Sequence, residues 1–369
     1  MSASTRRASW LPLCLLALGL GAPASAGELV LEPSFEGGDA PAELEKLCAV
    51  LSAEPADPRV PILLGALSRR QTMVPNAFAE LRATLAAALP QAGWNQDPIL
   101  VALADLAERL GDAKAAEAYR VQRGLLRQFL ACGPFGVAPS ASLARPFPPE
   151  IAANSKTFSL EQRFEGIRGE PRPWAELRNE RAGGAVSPGS VLDGTGQVLY
   201  ALTHVRYTGQ APAKVWLVYR GPSARVWCNR ELASKIDRNA KRLPGQVRVE
   251  LELRPGWNRL LFKVVGGPSA RFAAQLCEAG GAPLVLEESL LEPVEPGQAG
   301  VSPPRPRASL EALAEAKDPE RIGLYAWSLA NEGLSEEALL TLEALGQKAT
   351  ALRNQAWYQL LFARVAAEA

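Results

Sequence analysis

The spacing of apolar residues changes along this chain of 369 residues, and the change limits what the chain can fold into. Between about residues 158 and 277, apolar and polar residues alternate with a period of two, which is typical of β-strands with one buried and one solvated face. On both sides of this region apolar residues recur with the helical period of 3.6. The sequence therefore predicts an α+β protein in which helices flank an antiparallel β-sandwich.

The run at residues 260–264 predicts which side chains enter the sandwich core. Leu260, Phe262 and Val264 share one face of the predicted strand, and Lys263 lies on the other. We expect the three apolar residues to point inward and Lys263 to face water.

The first 26 residues have the features of an export signal. Arg6 and Arg7 precede an apolar stretch at residues 11–22, and Ala24-Ser25-Ala26 provides a small-residue cleavage site. Twelve apolar residues are too few to span a bilayer as a helix. We therefore expect a signal peptide at residues 1–26, no membrane span, and a mature protein in the periplasm or outside the cell.

The charge balance argues against a nucleic-acid partner. The chain has 40 Lys and Arg against 39 Asp and Glu, and removal of a signal that holds Arg6 and Arg7 leaves 38 against 39. Proteins that bind nucleic acid usually carry a dense basic surface, which a near-neutral chain lacks.

Four cysteines follow the signal, at positions 48, 132, 228 and 277. In an oxidising compartment they allow two disulfides in three connectivities, or they remain buried free thiols. A Cys228–Cys277 bond would lie within the β-region and respect the domain boundaries. The cysteines have no metal-ligand spacing and the chain has one histidine, so we expect no metal site and no cofactor.

Two segments share a helical-hairpin pattern. Leu106-Ala107, Gly111 and Ala116 match Leu329-Ala330, Gly333 and Ala338 in order, and in both segments the glycine precedes the last alanine by five residues. A glycine in the turn and a small residue where the helices cross resemble a tetratricopeptide repeat. Any closely packed pair of antiparallel helices requires a turn glycine and a small residue at the crossing, so a generic α-hairpin is the alternative.

The β-region carries motifs of a known sandwich type. Val226-Trp227-Cys228-Asn229 and Pro255-Gly256-Trp257-Asn258 resemble the V-W-x-N-G hairpin and the P-G-x-N-x-L strand start of galactose-binding-like jelly rolls. Gly133-Pro134-Phe135 and Pro148-Pro149-Glu150 resemble a sandwich of secreted bacterial proteins that lies between tetratricopeptide helices and a transglutaminase-like domain. The resemblance implies a non-catalytic jelly roll. Arg230 stands where the usual glycine follows Asn229, so the easy Asn-Gly type I′ turn is not expected.

These patterns predict five segments of the chain. They are a signal peptide at 1–26, a helical repeat domain at 27–131, a β-sandwich at 132–290, a proline-rich linker at 291–308 and a C-terminal helical repeat segment at 309–369.

Two functions remain open, and neither is enzymatic. His204 is the single histidine, and no G-x-S-x-G or phosphate-binding glycine loop is present, so nucleophilic catalysis has little support. The first function is an exported scaffold or adaptor that binds a protein partner, or a second copy, through its helices. The alternative is a carbohydrate- or cell-wall-binding protein that uses the sandwich loops.

Each function has its own candidate residues. The glycan-binding candidates are Trp174, which we expect to be the most exposed aromatic, with Asn229, Arg230 and Asn258. In the last helix Leu352, Ala356, Leu360 and Ala363 form one stripe. The partner-binding candidates are the apolar residues beside that stripe, Trp357, Tyr358, Leu361 and Phe362.

Overall fold

A computed structural model describes residues 40–68, 75–155, 159–178, 184–238, 246–291, 305–306 and 308–368. The predicted signal peptide and most of the predicted linker lie outside these residues. No helix among the described residues is long and apolar enough to cross a membrane.

The described residues confirm a mixed architecture of helices and antiparallel sheets. The helices are α1 (Ala40–Ala53), α2 (Val60–Ser68), α3 (Pro75–Ala88), α4 (Gln96–Arg109), α5 (Ala113–Gln122), α6 (Pro139–Ala144), α7 (Pro148–Ala153), α8 (Ala308–Ala314), α9 (Pro319–Asn331), α10 (Ser335–Lys348) and α11 (Ala356–Glu368). The strands are β1 (Gln128–Phe135), β2 (Phe164–Glu165), β3 (Pro171–Arg172), β4 (Ala175–Arg178), β5 (Gln197–Tyr207), β6 (Ala213–Arg220), β7 (Ala224–Cys228), β8 (Glu231–Ile236), β9 (Gln246–Leu253), β10 (Gly256–Gly266), β11 (Ala273–Cys277), β12 (Glu287–Ser289) and β13 (Arg305–Pro306). The predicted boundary at residues 131/132 thus falls inside β1, and β13 lies within the predicted linker.

The strands form two main sheets and one short ladder. The large sheet has the order β4-β1-β5-β10-β7-β8, with β12 also paired to β5. The small sheet has the order β11-β6-β9-β13, and β2 pairs with β3. All of these pairings are antiparallel.

The two main sheets share one hydrophobic core, as the alternating pattern predicts. Leu260, Phe262 and Val264 are buried in it, so their inward register is confirmed. The Phe262 ring lies 6.4 Å from that of Tyr219 on the small sheet and 5.9 Å from that of Phe129 on the large sheet. The contact with Tyr219 joins the two sheets at the centre of the core.

The prediction that Lys263 faces water is wrong, because its side chain is 0% exposed. Residues 136–155, which we call the strap, contain α6 and α7 and cover the outer face of the large sheet. Leu143 and Ala153 of the strap pack there in a second cluster with Tyr200 and Leu261 of the sheet. Alternation distinguishes the two faces of a strand, but it does not show that a later segment covers the second one.

Helices cover the outer face of the small sheet. Arg248 of β9 lies with its guanidinium carbon 4.6 Å from the centre of the Trp216 ring and 4.9 Å from that of Trp94, and it forms an ion pair with Glu311 of α8. The N-terminal and C-terminal helices also meet: Ile62 packs with Leu313 and Leu324.

A group of buried ion pairs also attaches the helices to the small sheet. Arg123 donates to Asp97 at 2.7 Å, and Arg220 of β6 donates to the other oxygen of the same carboxylate. Burial alone would raise the pKa of Asp97, but the two guanidiniums outweigh it and hold that pKa below its ordinary value. The helices are therefore bound to the small sheet by charge as well as by apolar contact.

Both helical hairpins use the residues that the repeated pattern singles out. Gly111 and Gly333 have φ values of 76° and 77°, the left-handed conformation that favours glycine after a helix. Ala116 and Ala338 are fully buried where the second helix of each hairpin packs on the first. The tetratricopeptide and jelly-roll assignments themselves stay predictions.

The predicted Cys228–Cys277 disulfide is absent, and all four described cysteines are free. Cys228 faces the core from the large sheet. Cys277 lies on the small sheet next to Leu276, which faces the core, so its own side chain points outward toward Trp94 and Asp97. Burial raises the pKa of both thiols to about 12. The two thiols cannot form a disulfide because Cys228 points into the core and Cys277 points away from it.

Candidate functional site

The asparagines of the predicted glycan site are buried and hydrogen-bonded within the chain. Asn229 Nδ2 donates to Asn258 Oδ1 at 2.8 Å, and the Arg254 backbone N–H donates to the same oxygen at 2.8 Å. Asn258 Nδ2 donates to the carbonyls of Arg254 and Gly256, and Asn229 Oδ1 accepts from the Arg259 backbone at 3.0 Å. These two amides join the β7–β8 turn to the start of β10, and their hydrogen-bonding groups are engaged without a ligand.

Arg230 forms the β7–β8 turn together with Asn229. Their φ values are 73° and 50°, so both central residues are left-handed, as a type I′ turn requires. The turn therefore has this backbone conformation without glycine, at a cost of about 1 kcal/mol for the Arg230 side chain. The Arg230 side chain is half-buried.

The prediction that Trp174 is exposed is wrong. Its side chain is 8% exposed and packs in the outer cluster of the large sheet, with its ring 6.5 Å from that of Phe164. Neighbouring prolines suggested a loop, but Trp174 lies between β3 and β4, where the chain folds back over the sheet. Trp227 is buried in the same cluster.

A polar group lies beneath the strap on the outer face of the large sheet. Lys263 Nζ donates to Glu150 Oε2 at 3.0 Å and to the Arg145 carbonyl, and Tyr200 OH donates to Glu150 Oε2 at 2.8 Å. Arg225 Nη1 lies 4.0 Å from Glu150 Oε1. We call Glu150, Lys263, Tyr200 and Arg225 the carboxylate cluster.

Burial changes the acidity of this cluster. It lowers the pKa of Lys263, an effect that Arg225 strengthens and Glu150 opposes, and it raises the pKa of Tyr200, as does the charge of Glu150. Because Lys263 and Tyr200 are fully buried, the cluster is enclosed rather than accessible to a dissolved reactant.

His204 lies farther along β5 on the same face and is 1% exposed. Arg259 Nε donates to His204 Nε2 at 3.2 Å, and Arg259 Nη1 donates to the strap carbonyl of Ala153 at 2.9 Å. Burial, with the Arg259 charge, lowers the pKa of His204 to about 4, so the imidazole is neutral near pH 7. Among the described residues no group of His, Cys, Asp and Glu is placed to hold a metal ion.

The partner-binding candidates lie at the C-terminal helices, where there is an open groove of about 490 Å³. Tyr358 and Phe362 line it from α11, with ring centres 6.0 Å apart. Glu343 and Gln347 of α10 and Arg353 are exposed at the rim of the groove. We call this surface the C-terminal groove.

Tyr358, in the wall of the groove, lies close to the backbone of α10. Tyr358 OH donates to the Leu342 carbonyl at 2.7 Å. The hydroxyl would lie 2.3 Å from a Cβ at position 346, so glycine is needed there. Arg353 Nε donates to the Gly346 carbonyl at 3.0 Å.

The four partner-binding candidates are not equally accessible. Tyr358 and Leu361 are buried among the C-terminal helices, whereas Trp357 and Phe362 are half-buried at the edge of that core. Trp357 also packs near Ile62 and Leu324, so it joins the two helical regions. Leu360, which belongs to the apolar stripe of the sequence analysis, is 50% exposed. The face of α11 that packs on the other helices is therefore the one with Tyr358 and Leu361, and not the stripe that contains Leu360.

No protein-family model matches the chain, and no curated protein is detectably similar to it. The solved structures that resemble part of it include a β-glucosidase from Kluyveromyces marxianus in complex with glucose. That structure is 18% identical over 22% of this chain and 11% of its own, with a TM-score of 0.19. A similarity this limited supports no inference about fold or function.

Proposed function

We propose that this chain is an exported, non-enzymatic scaffold that binds a protein partner through the C-terminal groove. The observation that carries the proposal is the position of Tyr358 and Phe362, two of the predicted partner-binding residues, in the wall of an open groove of about 490 Å³. The signal-like pattern of the first 26 residues supports export.

The glycan-binding candidates contact other residues of the chain, and this supports the same proposal. Asn229 and Asn258 are buried and hydrogen-bonded to each other, and Trp174 packs against the large sheet. A glycan-binding site needs polar groups and aromatic faces that a sugar can reach. The carbohydrate alternative therefore has fewer accessible residues at the predicted positions than the scaffold function has.

The proposal includes two finer assignments of fold. The hairpins α4–α5 and α9–α10 are tetratricopeptide-like, which is supported by the left-handed Gly111 and Gly333 and by the buried Ala116 and Ala338. The two sheets with their common core form a galactose-binding-like jelly roll, which serves as the structural module to which the helices attach.

The lining of the groove suggests the chemistry of the partner. Phe362 offers a half-buried aromatic surface, and the rim carries Glu343 and Arg353, which have opposite charges. An apolar centre with a polar rim is the usual composition of a protein-binding surface. The partner would place one apolar side chain against Phe362 and flank it with polar groups.

Matched variants of α10 test this function. Gln347 and Ala344 are both exposed on this helix, but only Gln347 lines the groove. Immobilised wild-type protein, Gln347→Arg and Ala344→Arg would be exposed to an extract of the exported fraction, and the retained proteins identified by mass spectrometry. We expect one protein to be retained by wild type and Ala344→Arg and lost with Gln347→Arg.

Two results would oppose the proposal. One is equal retention by all three proteins, which would place the binding surface elsewhere. The other is saturable binding of the mature protein on a glycan array, unchanged by Gln347→Arg, which would favour the carbohydrate alternative.

A further inference from the structure

Three of the polar contacts between the large sheet and the strap are made to one carboxylate, that of Glu150. Lys263 of β10 lies opposite Tyr200 of β5 on one side and opposite Arg225 of β7 on the other. Three neighbouring strands therefore direct an ammonium, a hydroxyl and a guanidinium toward Glu150, at 3.0, 2.8 and 4.0 Å. The hydrogen bond from Lys263 joins two charged groups, which makes it stronger than one between neutral groups.

Besides Glu150, two backbone carbonyls of the strap accept hydrogen bonds from the large sheet. Its helices α6 and α7 have six residues each, and helices of that length are not stable alone. Leu143 and Ala153 are buried against the large sheet, but Val137 and Ile151 are exposed. The position of the strap on the sheet thus depends on a few apolar side chains, on these two carbonyls and on the carboxylate cluster.

A buried ion pair is a costly way to attach a segment, because apolar residues of similar volume often serve as well or better. Its distinctive property is that the loss of one charge leaves the other buried without compensation. Short segments with few apolar contacts also open more readily than the sheets they cover.

We propose that the strap is a latch whose Glu150 acts as an internal ligand of a carboxylate-binding site formed by Lys263, Tyr200 and Arg225. Loss of this carboxylate releases the strap while the two sheets stay folded. Release uncovers the apolar outer face of the large sheet, where Leu261 lies. This inference does not depend on the proposed function of the C-terminal groove.

Hydrogen exchange on the full chain tests the latch. Glu150→Gln removes the charge and keeps the shape, and Glu287→Gln is the control, because Glu287 of β12 forms an exposed ion pair with Arg206. We expect strap amides such as those of Ser142 and Arg145 to exchange at least tenfold faster in Glu150→Gln. Amides of the β5–β10 ladder should change less than twofold, and the control should match wild type. Equal acceleration of strap and ladder, or no acceleration of the strap, would overturn the proposal.

A second variant tests the site as a carboxylate receptor. Glu150→Ala removes a CH₂–COO⁻ unit, which has the size and charge of acetate. We expect sodium acetate to restore strap protection in this variant in a saturable manner, while sodium chloride at equal ionic strength does not. Absence of rescue by acetate, or equal rescue by both salts, would contradict the receptor. Should Glu150→Ala not fold, the comparison of Glu150→Gln with Glu287→Gln still decides whether the strap is a latch.

Discussion

The turn region of the sheets and the C-terminal groove both carry the residue types that bind ligands, but they use them differently. Asn229 and Asn258 at the turns direct their amides to each other and to nearby backbone. In the groove, Glu343 and Gln347 are exposed beside the half-buried Phe362. Residue type and position in a loop therefore do not identify a binding surface. What matters is whether the local fold already uses the hydrogen bonds and apolar faces.

The largest expected effect lies in the shared core of the sheets. Phe262→Ala should lower the free energy of unfolding by about 3–5 kcal/mol, because a fully buried ring is lost and a cavity remains. Leu360→Ala, at a half-exposed position of α11, should cost less than about 1 kcal/mol by the same reasoning. Urea unfolding of the two variants checks this. A similar loss for both would mean that α11 packs against something at Leu360.

The second largest expected loss of stability comes from the asparagines at the turns. Asn258→Ala removes an amide that makes four hydrogen bonds and is 0% exposed, so it should cost about 2–3 kcal/mol. Asn331→Ala is the control, since the Asn331 amide donates to the Trp327 carbonyl at an exposed site. Normal stability of Asn258→Ala combined with lost glycan binding would show that Asn258 serves a ligand instead.

The sequence predicted helices on both sides of an antiparallel β-region and the inward register of Phe262, because these follow from local periodicity. It did not predict that Lys263 is buried, since its cover comes from α7, more than a hundred residues away in the chain. The motif Pro148-Pro149-Glu150 was visible, but nothing in it indicated that Glu150 meets a lysine. Trp174 was misplaced for a similar reason: local spacing does not reveal which neighbour covers a face.

Acidification tests the closed region of the large sheet. The folded pKa of His204 is about 4 and its ordinary value is 6.5, so the unfolded chain takes up a proton that the folded chain does not. The stability from neutral His204 is therefore complete above about pH 6.5 and declines by about 3 kcal/mol as the pH falls to 4. His204→Gln should have a shallower decline over this range. Because His204 is the single histidine, its imidazole signal in proton NMR gives the pKa directly. A value near 6.5 would mean that this face is open to water.

The close approach of Gly346 and Tyr358 gives the smallest expected change in stability. Gly346→Ala places a methyl group where the Tyr358 hydroxyl lies, so it should cost about 1 kcal/mol through the lost hydrogen bond to Leu342. Tyr358→Phe should cost a similar amount and leave room for the methyl group. The double variant should then be little worse than either single variant in urea unfolding. Fully additive losses would indicate that Gly346 matters for another reason.

Hydroxyl-radical footprinting of the full chain, alone and with the retained partner protein, tests the central claim most directly. The half-buried Phe362 should be oxidised in the free protein and protected in the complex. Trp174 and Trp227, which are buried at the large sheet, should be protected in both states. The account would be contradicted if Phe362 reacted equally in both states while the half-buried Trp257, at the start of β10, became protected by the partner.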